Sequence, residues 1–162
     1  MAQENQNTFV HTNVRVFYKI AQESYKAMAE DLNSHRRPKP NGEPGYIITL
    51  DPDQKSFKNA FITIVFCGVF LESLLHLLIV KEKGLEVFKK YDHKPYEEKF
   101  CLLGCSDPSI MDLCEKFRVA RREVVHEKAY LDDDYFRVAQ KEAKIAIELI
   151  NKVVVHFKLD MG

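Results

Sequence analysis

The sequence has few cysteines and no excess of charge of either sign. Four cysteines in 162 residues are too few for a disulfide scaffold. Twenty-four Lys and Arg are balanced by 24 Asp and Glu, which argues against a protein that coats DNA through many phosphate contacts, although a local basic site remains compatible with this balance. The first residues, MAQENQNTFV, lack the charged and apolar regions of a signal peptide. We therefore expect a cytoplasmic protein in a reducing environment.

Motifs of several enzyme classes are also missing. The sequence contains no Gly-rich phosphate loop, no H-E-x-x-H pair and no nucleophile elbow, so nucleotide hydrolysis, zinc proteolysis and serine hydrolysis have no support. Cys101 and Cys105, with Cys114 and His93 nearby, resemble a zinc site only weakly, because C-x3-C lacks a second matched pair. We predict that these cysteines are buried small hydrophobes, and we expect neither a metal nor a cofactor.

What the sequence does contain is a long apolar run over residues 61–80. The run is long enough to span a membrane, but Glu72 and His76 interrupt it with ionisable groups that are costly in lipid. With 46% apolar and 30% charged residues, the composition is that of a soluble globular protein. We predict a buried helix here and no membrane association.

Apolar residues recur at helical spacing along most of the chain and predict an all-α fold. The expected architecture is an antiparallel bundle of about four long helices plus short helices. Long helices are predicted at 9–32, 56–83, 108–128 and 135–158, and short helices at 85–91 and 95–103. One domain is expected over residues 1–162, with 1–8 as a flexible leader and 35–55 as a loop insertion. Within the loop, YIITLD could be an isolated strand or could pack without pairing.

One charged residue falls on the apolar side of the third long helix. On a wheel of about 100° per residue, Arg121 lies about 40° from Phe117, inside the apolar sector. A guanidinium there must snorkel, reach a cleft or meet a buried carboxylate. Glu72, the only acid in the run 61–80, is the natural partner. His76, four residues later, either joins this polar cluster or is a core residue.

The wheel does not bring Arg121 and His126 together. They are separated by about 140° beyond a full turn, whereas Arg118, Arg122 and His126 line one side of the helix. Either the helix loosens near its end, or the two residues cooperate across a subunit interface.

The run RREVVHE, from Arg121 to Glu127, resembles the R-x4-6-H motif of the HEPN superfamily. HEPN domains are small and all-helical, and many are metal-independent endoribonucleases. The segment FCGVFLESLLHLLI is similar to the apolar helix with an embedded Glu that packs beside the motif helix in many members. Arg122 stands where these nucleases commonly have Asn, Asp or His, and Lys128 stands where partners of nucleotidyltransferase antitoxins often have the modified Tyr. Tyr130 follows two residues later.

The resemblance implies RNA cleavage by a homodimer whose facing helices form a composite Arg/His site. His126 would transfer protons, because an imidazole titrates near neutral pH. Arg121 would hold the phosphate with its rigid fork of donors, which strengthens as negative charge develops. The expected products are a 2′,3′-cyclic phosphate and a 5′-hydroxyl.

Other residues near the motif take secondary roles in this interpretation. Glu72 and Arg122 would support Arg121, and Arg118 and Lys128 would bind RNA phosphates. A toxin or defence component, with an antitoxin or nucleotidyltransferase as partner, fits the same resemblance. The alternative is a non-catalytic helical module that dimerises or binds a partner, in which Arg121 and Glu72 are a structural ion pair.

Overall fold

A computed structural model describes residues 13–125 and 138–162, except for the side chain of residue 125. Six α-helices lie in these ranges, which confirms the all-α prediction for the described residues. They are α1 (Val14–Ser34), α2 (Lys55–Lys83), α3 (Leu85–Tyr91), α4 (Tyr96–Leu102), α5 (Pro108–Val125) and α6 (Ala139–His156). Four of them are long and two are short, as the apolar spacing predicts.

The helix ends follow local chemistry that is visible in the sequence. Gly84 ends α2 with a φ of 89°, a conformation that residues with a side chain rarely adopt. Pro108 occupies the first position of α5, where its missing N–H costs nothing. The carboxylate of Asp107 accepts the backbone N–H of Ser109 at 2.8 Å and caps the same helix. The predicted leader and the predicted helix residues 9–12, 126–128 and 135–137 lie outside the described residues.

The long helices pack side by side in antiparallel order. Asp31, near the end of α1, accepts a hydrogen bond from Asn59, near the start of α2. At the other end of the pair, the ring of Tyr18 packs on that of Phe70, with centroids 5.4 Å apart. Nζ of Lys152, near the end of α6, donates a hydrogen bond to Oγ of Ser109, at the start of α5, at 3.3 Å. Helices α5 and α6 therefore form a second antiparallel pair. Helices α2 and α6 each contact the other three long helices, and α2 also contacts the short helices α3 and α4, so α2 is the central helix among those described.

Burial of α2 supplies much of the core. Phe70, Leu71 and Leu74 are almost fully buried, and each contributes about 1.5–3 kcal/mol by leaving water. Among the described helices, α2 is the one that is long and apolar enough to cross a membrane by length and composition, and half of its most apolar window is buried in the bundle. This burial is compatible with a soluble protein.

The segment 35–55, predicted as a loop insertion in which YIITLD could be an isolated strand or could pack without pairing, contains a short β-hairpin. Strands β1 (Arg36–Pro38) and β2 (Tyr46–Ile48) pair antiparallel, with Arg36 opposite Ile48. Between them the chain reverses at Asn41 and Gly42, which both have positive φ. The turn places Tyr46–Ile48 beside Arg36–Pro38, and this pairing makes both segments strands. The pattern of residue types within YIITLD does not indicate such a partner. All six strand residues are exposed.

Candidate functional site

Arg121 crosses the central helix at a glycine. A Cβ atom built on Gly68 of α2 would lie 2.6 Å from Nε of Arg121 and 2.9 Å from its Cζ. These distances are far shorter than any van der Waals contact, so only a glycine at position 68 permits this path. A glycine inside a helix costs about 1 kcal/mol relative to alanine. The close approach of Arg121 is the physical reason for accepting that cost.

Beyond Gly68 the guanidinium meets an acid and a phenol. Nη1 of Arg121 donates to Oε1 of Glu72 at 2.7 Å and to the hydroxyl of Tyr96 at 3.2 Å. The Tyr96 hydroxyl in turn donates to the same Oε1 at 3.1 Å. Three side chains from α2, α4 and α5 therefore form one closed hydrogen-bonded cluster. The pairing of Arg121 with Glu72 that the sequence predicts is confirmed.

The surroundings of this cluster fix its charges. Burial raises the pKa of the Tyr96 phenol, and the charge of Glu72 raises it further, so the phenol remains a donor. Burial disfavours the charge of Arg121, but the Tyr96 oxygen and the Glu72 carboxylate outweigh burial and raise the pKa of the guanidinium. The cluster is a fixed cation–anion pair with a neutral phenol against it.

The expectation that Glu72 lies inside the core is wrong. Half of the Glu72 side chain is exposed, compared with about a third of that of Arg121. Gly68, Glu72 and His76 follow one another at intervals of four residues and share one stripe of α2. The stripe is buried at Gly68, but one turn later it opens at a groove, so the carboxylate retains water and avoids most of the desolvation penalty.

A groove with a volume of about 720 Å³ lies beside the cluster. Helices α2, α3, α4 and α5 and the segment between α3 and α4 form its walls. Five of the side chains that line it are cationic and two are anionic, and the cationic ones are Lys94, Lys99, Arg118, Arg121 and Arg122. A groove with this balance attracts anions even though the whole chain has no net charge.

Several of the groove cations already have partners. Arg118 lies 3.7 Å from Glu97, and Lys94 lies 3.2 Å from Glu98. Arg122 is exposed and forms no ion pair with a described residue. The exposed pair of Lys94 with Glu98 contributes about 0–1 kcal/mol, so it does not prevent Lys94 from turning towards a ligand. Glu97 is only a quarter exposed, so Arg118 is held more firmly.

The structure brings four of the six predicted site residues to one groove, namely Glu72, Arg118, Arg121 and Arg122. The two others, His126 and Lys128, lie outside the described residues. How Arg121 relates to His126, within one chain or across two, therefore stays a prediction.

Three residues of this region were missed by sequence reasoning. Gly68 stands in the middle of a strongly apolar helix, which is a signal of close approach that could have been used. Tyr96 and Lys99 lie on the short helix α4 and carry no motif. Their contact with the site depends on how α4 packs against α2 and α5, which helix periodicity does not indicate.

The cysteines divide into two groups. Cys105 and Cys114 are buried, as predicted, and so is Cys67 in the apolar helix α2, and burial raises the pKa of each thiol. Cys101 is exposed, so the prediction of burial is wrong for this residue. It lies on the outer side of the short helix α4. A helix that packs against the bundle with one side leaves its opposite side in water, so an apolar residue on that side stays exposed. No group of three potential metal ligands occurs within residues 13–125 and 138–162.

The site offers a fixed guanidinium at the edge of a cation-rich groove. In the sequence, His126 follows Arg121 after five positions. Comparisons of the chain with protein-family models, with curated proteins and with solved structures find no match.

Proposed function

We propose that this protein is a metal-independent endoribonuclease of the HEPN type that acts as a homodimer in the cytoplasm. Arg121 and His126 are the catalytic residues in this proposal, and the groove beside Arg121 binds the RNA backbone. An antitoxin or nucleotidyltransferase is the partner class that the HEPN resemblance suggests, with a role in toxicity or defence.

The placement of Arg121 is the observation that carries the proposal. A structural ion pair needs only an Arg and an acid. Here the helix also has a glycine at position 68, where any side chain would clash with the guanidinium of Arg121. Within the described residues only Nη1 of Arg121 forms side-chain hydrogen bonds, so in that part of the chain Nε and Nη2 have no side-chain partner. A guanidinium that is held at one nitrogen and presents its remaining donors to a groove suits a phosphate whose charge increases in the transition state.

The surrounding cations support RNA as the ligand. Arg118, Arg122 and Lys99 line the groove together with Arg121, and they come from two different helices, so a chain of phosphates can contact several of them. Phosphate contacts of this kind supply affinity and register rather than sequence specificity. Lys128 follows in the sequence as a further candidate for the same role.

The reaction that suits these groups is an internal transfer to the 2′-oxygen. His126 accepts the proton of the 2′-hydroxyl, the 2′-oxygen bonds to phosphorus, and the bond from phosphorus to the 5′-oxygen breaks. The leaving 5′-oxygen takes a proton from water, and the imidazolium of His126 returns its proton to the solvent, which leaves a 5′-hydroxyl end and a 2′,3′-cyclic phosphate. Arg121 stabilises the charge on the non-bridging oxygens, while Glu72 and Tyr96 hold it in position.

A non-catalytic module that dimerises or binds a partner is the second candidate. It is favoured by the closed cluster itself, because Arg121, Glu72 and Tyr96 satisfy one another without any ligand. In that case Arg121 would contribute to stability and not to chemistry.

RNA cleavage in EDTA distinguishes the two candidates. The wild-type chain, His126→Ala and Arg121→Ala are incubated with end-labelled RNA, and His156→Ala serves as a control because His156 is an exposed imidazole on another helix. The proposal predicts cleavage by the wild type and by the control, a loss of at least about 100-fold in the other two variants, and cyclic phosphate ends. A folded wild-type protein that leaves RNA intact, or cleavage that needs a divalent metal, would contradict it.

A further inference from the structure

Two aromatic rings from neighbouring helices form part of the groove wall. His76 of α2 and Phe88 of α3 stack in parallel, with centroids 3.9 Å apart and planes inclined by 9°. Both rings are partly exposed and both line the groove. His76 lies one turn after Glu72 on the same stripe of α2, so the ring pair continues the surface that holds Arg121.

Flat rings beside a line of cations are the usual means by which proteins bind an unpaired nucleotide. The base stacks on the ring, and cationic side chains follow the backbone. Four cations line the groove beside the rings. They are Lys94 between α3 and α4, Lys99 in α4, and Arg118 and Arg122 in α5. The ring pair and the cations therefore share one cavity but come from separate elements.

Lys99 is the most unusual of these cations. It is only 6% exposed, and its Nζ donates to the backbone carbonyl of Asp92 at 2.7 Å. No described carboxylate lies within ion-pair distance, which leaves a buried ammonium with two further N–H groups. Burial lowers its pKa, although the charges of Asp92 and Glu72 oppose this effect. Because the carboxylates of Asp92 and Glu72 act on this ammonium only from beyond ion-pair distance, an anion in the groove would give it a direct partner.

We propose that the His76–Phe88 pair is a stacking subsite for an unpaired nucleobase, and that Lys99 binds a phosphate adjacent to that base. This inference rests on the proposed function for the class of ligand, and it adds a second point of attachment besides Arg121. A base-paired duplex cannot use the subsite, because both faces of each internal base are already stacked. A free nucleotide offers the same chemistry as a single strand, so the experiment separates these two sources.

The absence of tryptophan from the chain gives a direct reporter. In the Phe88→Trp variant, the single indole would lie in the proposed subsite and a stacked base would quench its fluorescence. The probe is a short single-stranded oligothymidylate, which lacks the 2′-hydroxyl and cannot undergo the proposed cleavage. We expect saturable quenching by the single strand and little quenching by the same strand in a duplex. Quenching by thymidine monophosphate alone would also support the subsite, with a free nucleotide as its occupant.

Matched variants separate stacking from a general loss of structure. Phe57→Trp is the control, because Phe57 is an exposed aromatic residue of α2 that does not line the groove and already packs against Phe61. Phe88→Tyr should bind the probe as the wild type does, whereas Phe88→Leu should weaken binding about fivefold or more, the loss expected for one stacked base. Thermal melting checks that each variant is folded.

The Lys99 half of the proposal has its own test. Lys99→Gln keeps a donor for the Asp92 carbonyl but removes the charge, and Lys116→Gln is an exposed control on α5. We expect weaker binding of the probe and a smaller salt dependence for Lys99→Gln only, by about one phosphate contact.

The outcomes also separate this inference from the ribonuclease proposal. Equal quenching in Phe57→Trp and Phe88→Trp, or binding that is unaffected by Phe88→Leu, would overturn the stacking subsite. Unchanged affinity and salt dependence in Lys99→Gln would overturn the phosphate contact. Quenching by the oligothymidylate without cleavage of RNA by the wild type would support the subsite and remove the proposed reaction.

Discussion

Arg121 is held in place by shape as well as by charge. Gly68 provides the space for its side chain, and Glu72 and Tyr96 bind its Nη1. Each of these contacts is made by a single atom or a single missing atom, so residue substitutions can test them separately. Helix periodicity identifies Arg121 as misplaced on an apolar face, but it gives no sign of Tyr96, whose contact depends on tertiary packing.

Gly68→Ala should change stability differently in the wild type and in Arg121→Ala. In Arg121→Ala, where the new methyl group meets no guanidinium, it should stabilise the protein by about 1 kcal/mol through helix propensity. In the wild type the methyl group must displace Arg121, so the gain should be cancelled and RNA cleavage should fall. Urea unfolding of the four proteins measures this coupling. Equal effects in both backgrounds would show that Arg121 does not depend on the glycine.

Tyr96→Phe should change how stability depends on alkaline pH. The pKa of Tyr96 is raised above its ordinary value of 10.0, so the folded state retains a proton that the unfolded state loses. The contribution of the phenol is therefore fully present below pH 10 and is lost as the pH rises above it. The variant should lose stability less steeply than the wild type between neutral pH and pH 11, as measured by denaturant unfolding. Parallel curves would contradict the burial of a neutral phenol.

Thiol labelling should separate the four cysteines. Cys101 is exposed, whereas Cys67, Cys105 and Cys114 are buried and burial raises their pKa. We expect a chromogenic disulfide reagent to modify one thiol rapidly in the native protein and all four only in denaturant. Cys101→Ser should remove the fast phase. Rapid reaction of two or more thiols would contradict the packing around α2 and α5.

At the scale of elements, the helices are mostly determined by signals that lie within them. Gly84 ends α2, and Asp107 with Pro108 begins α5, at positions that the sequence predicts. The hairpin of β1 and β2 is different, because a three-residue strand is defined by its partner and not by its own pattern. The groove also cannot be predicted from local signals, because its walls come from helices that are distant in the sequence.

Asp107→Ala should weaken the start of α5 and should do so in a pH-dependent way. Hydrogen bonds from Ser109 lower the pKa of Asp107, so the stabilisation is present above the ordinary carboxyl pKa and is lost as the pH falls through the lowered value. The thermal midpoint of the variant should be lower than that of the wild type at neutral pH, and the difference should shrink in acid. Asp112→Ala, which removes only an exposed i,i+4 pair, is the control and should have a smaller effect.

At the scale of the whole molecule, the proposed reaction depends on two copies of the chain. The wheel separates Arg121 from His126, and a composite site across a homodimer resolves that separation. The sequence leads to this hypothesis through a seven-residue motif, whereas the described structure supports only its arginine half. The HEPN-type bundle and the dimer remain proposals on which the ribonuclease reaction rests.

Mixing two inactive variants tests the central claim most directly. Arg121→Ala and His126→Ala are unfolded together, refolded as an equimolar mixture and assayed for RNA cleavage in EDTA. In a composite site each mixed dimer has one intact Arg/His pair, so about one quarter of the wild-type rate should return if subunits pair at random. A mixture as inactive as its two components, beside an active wild type refolded in the same way, would contradict a site shared between subunits.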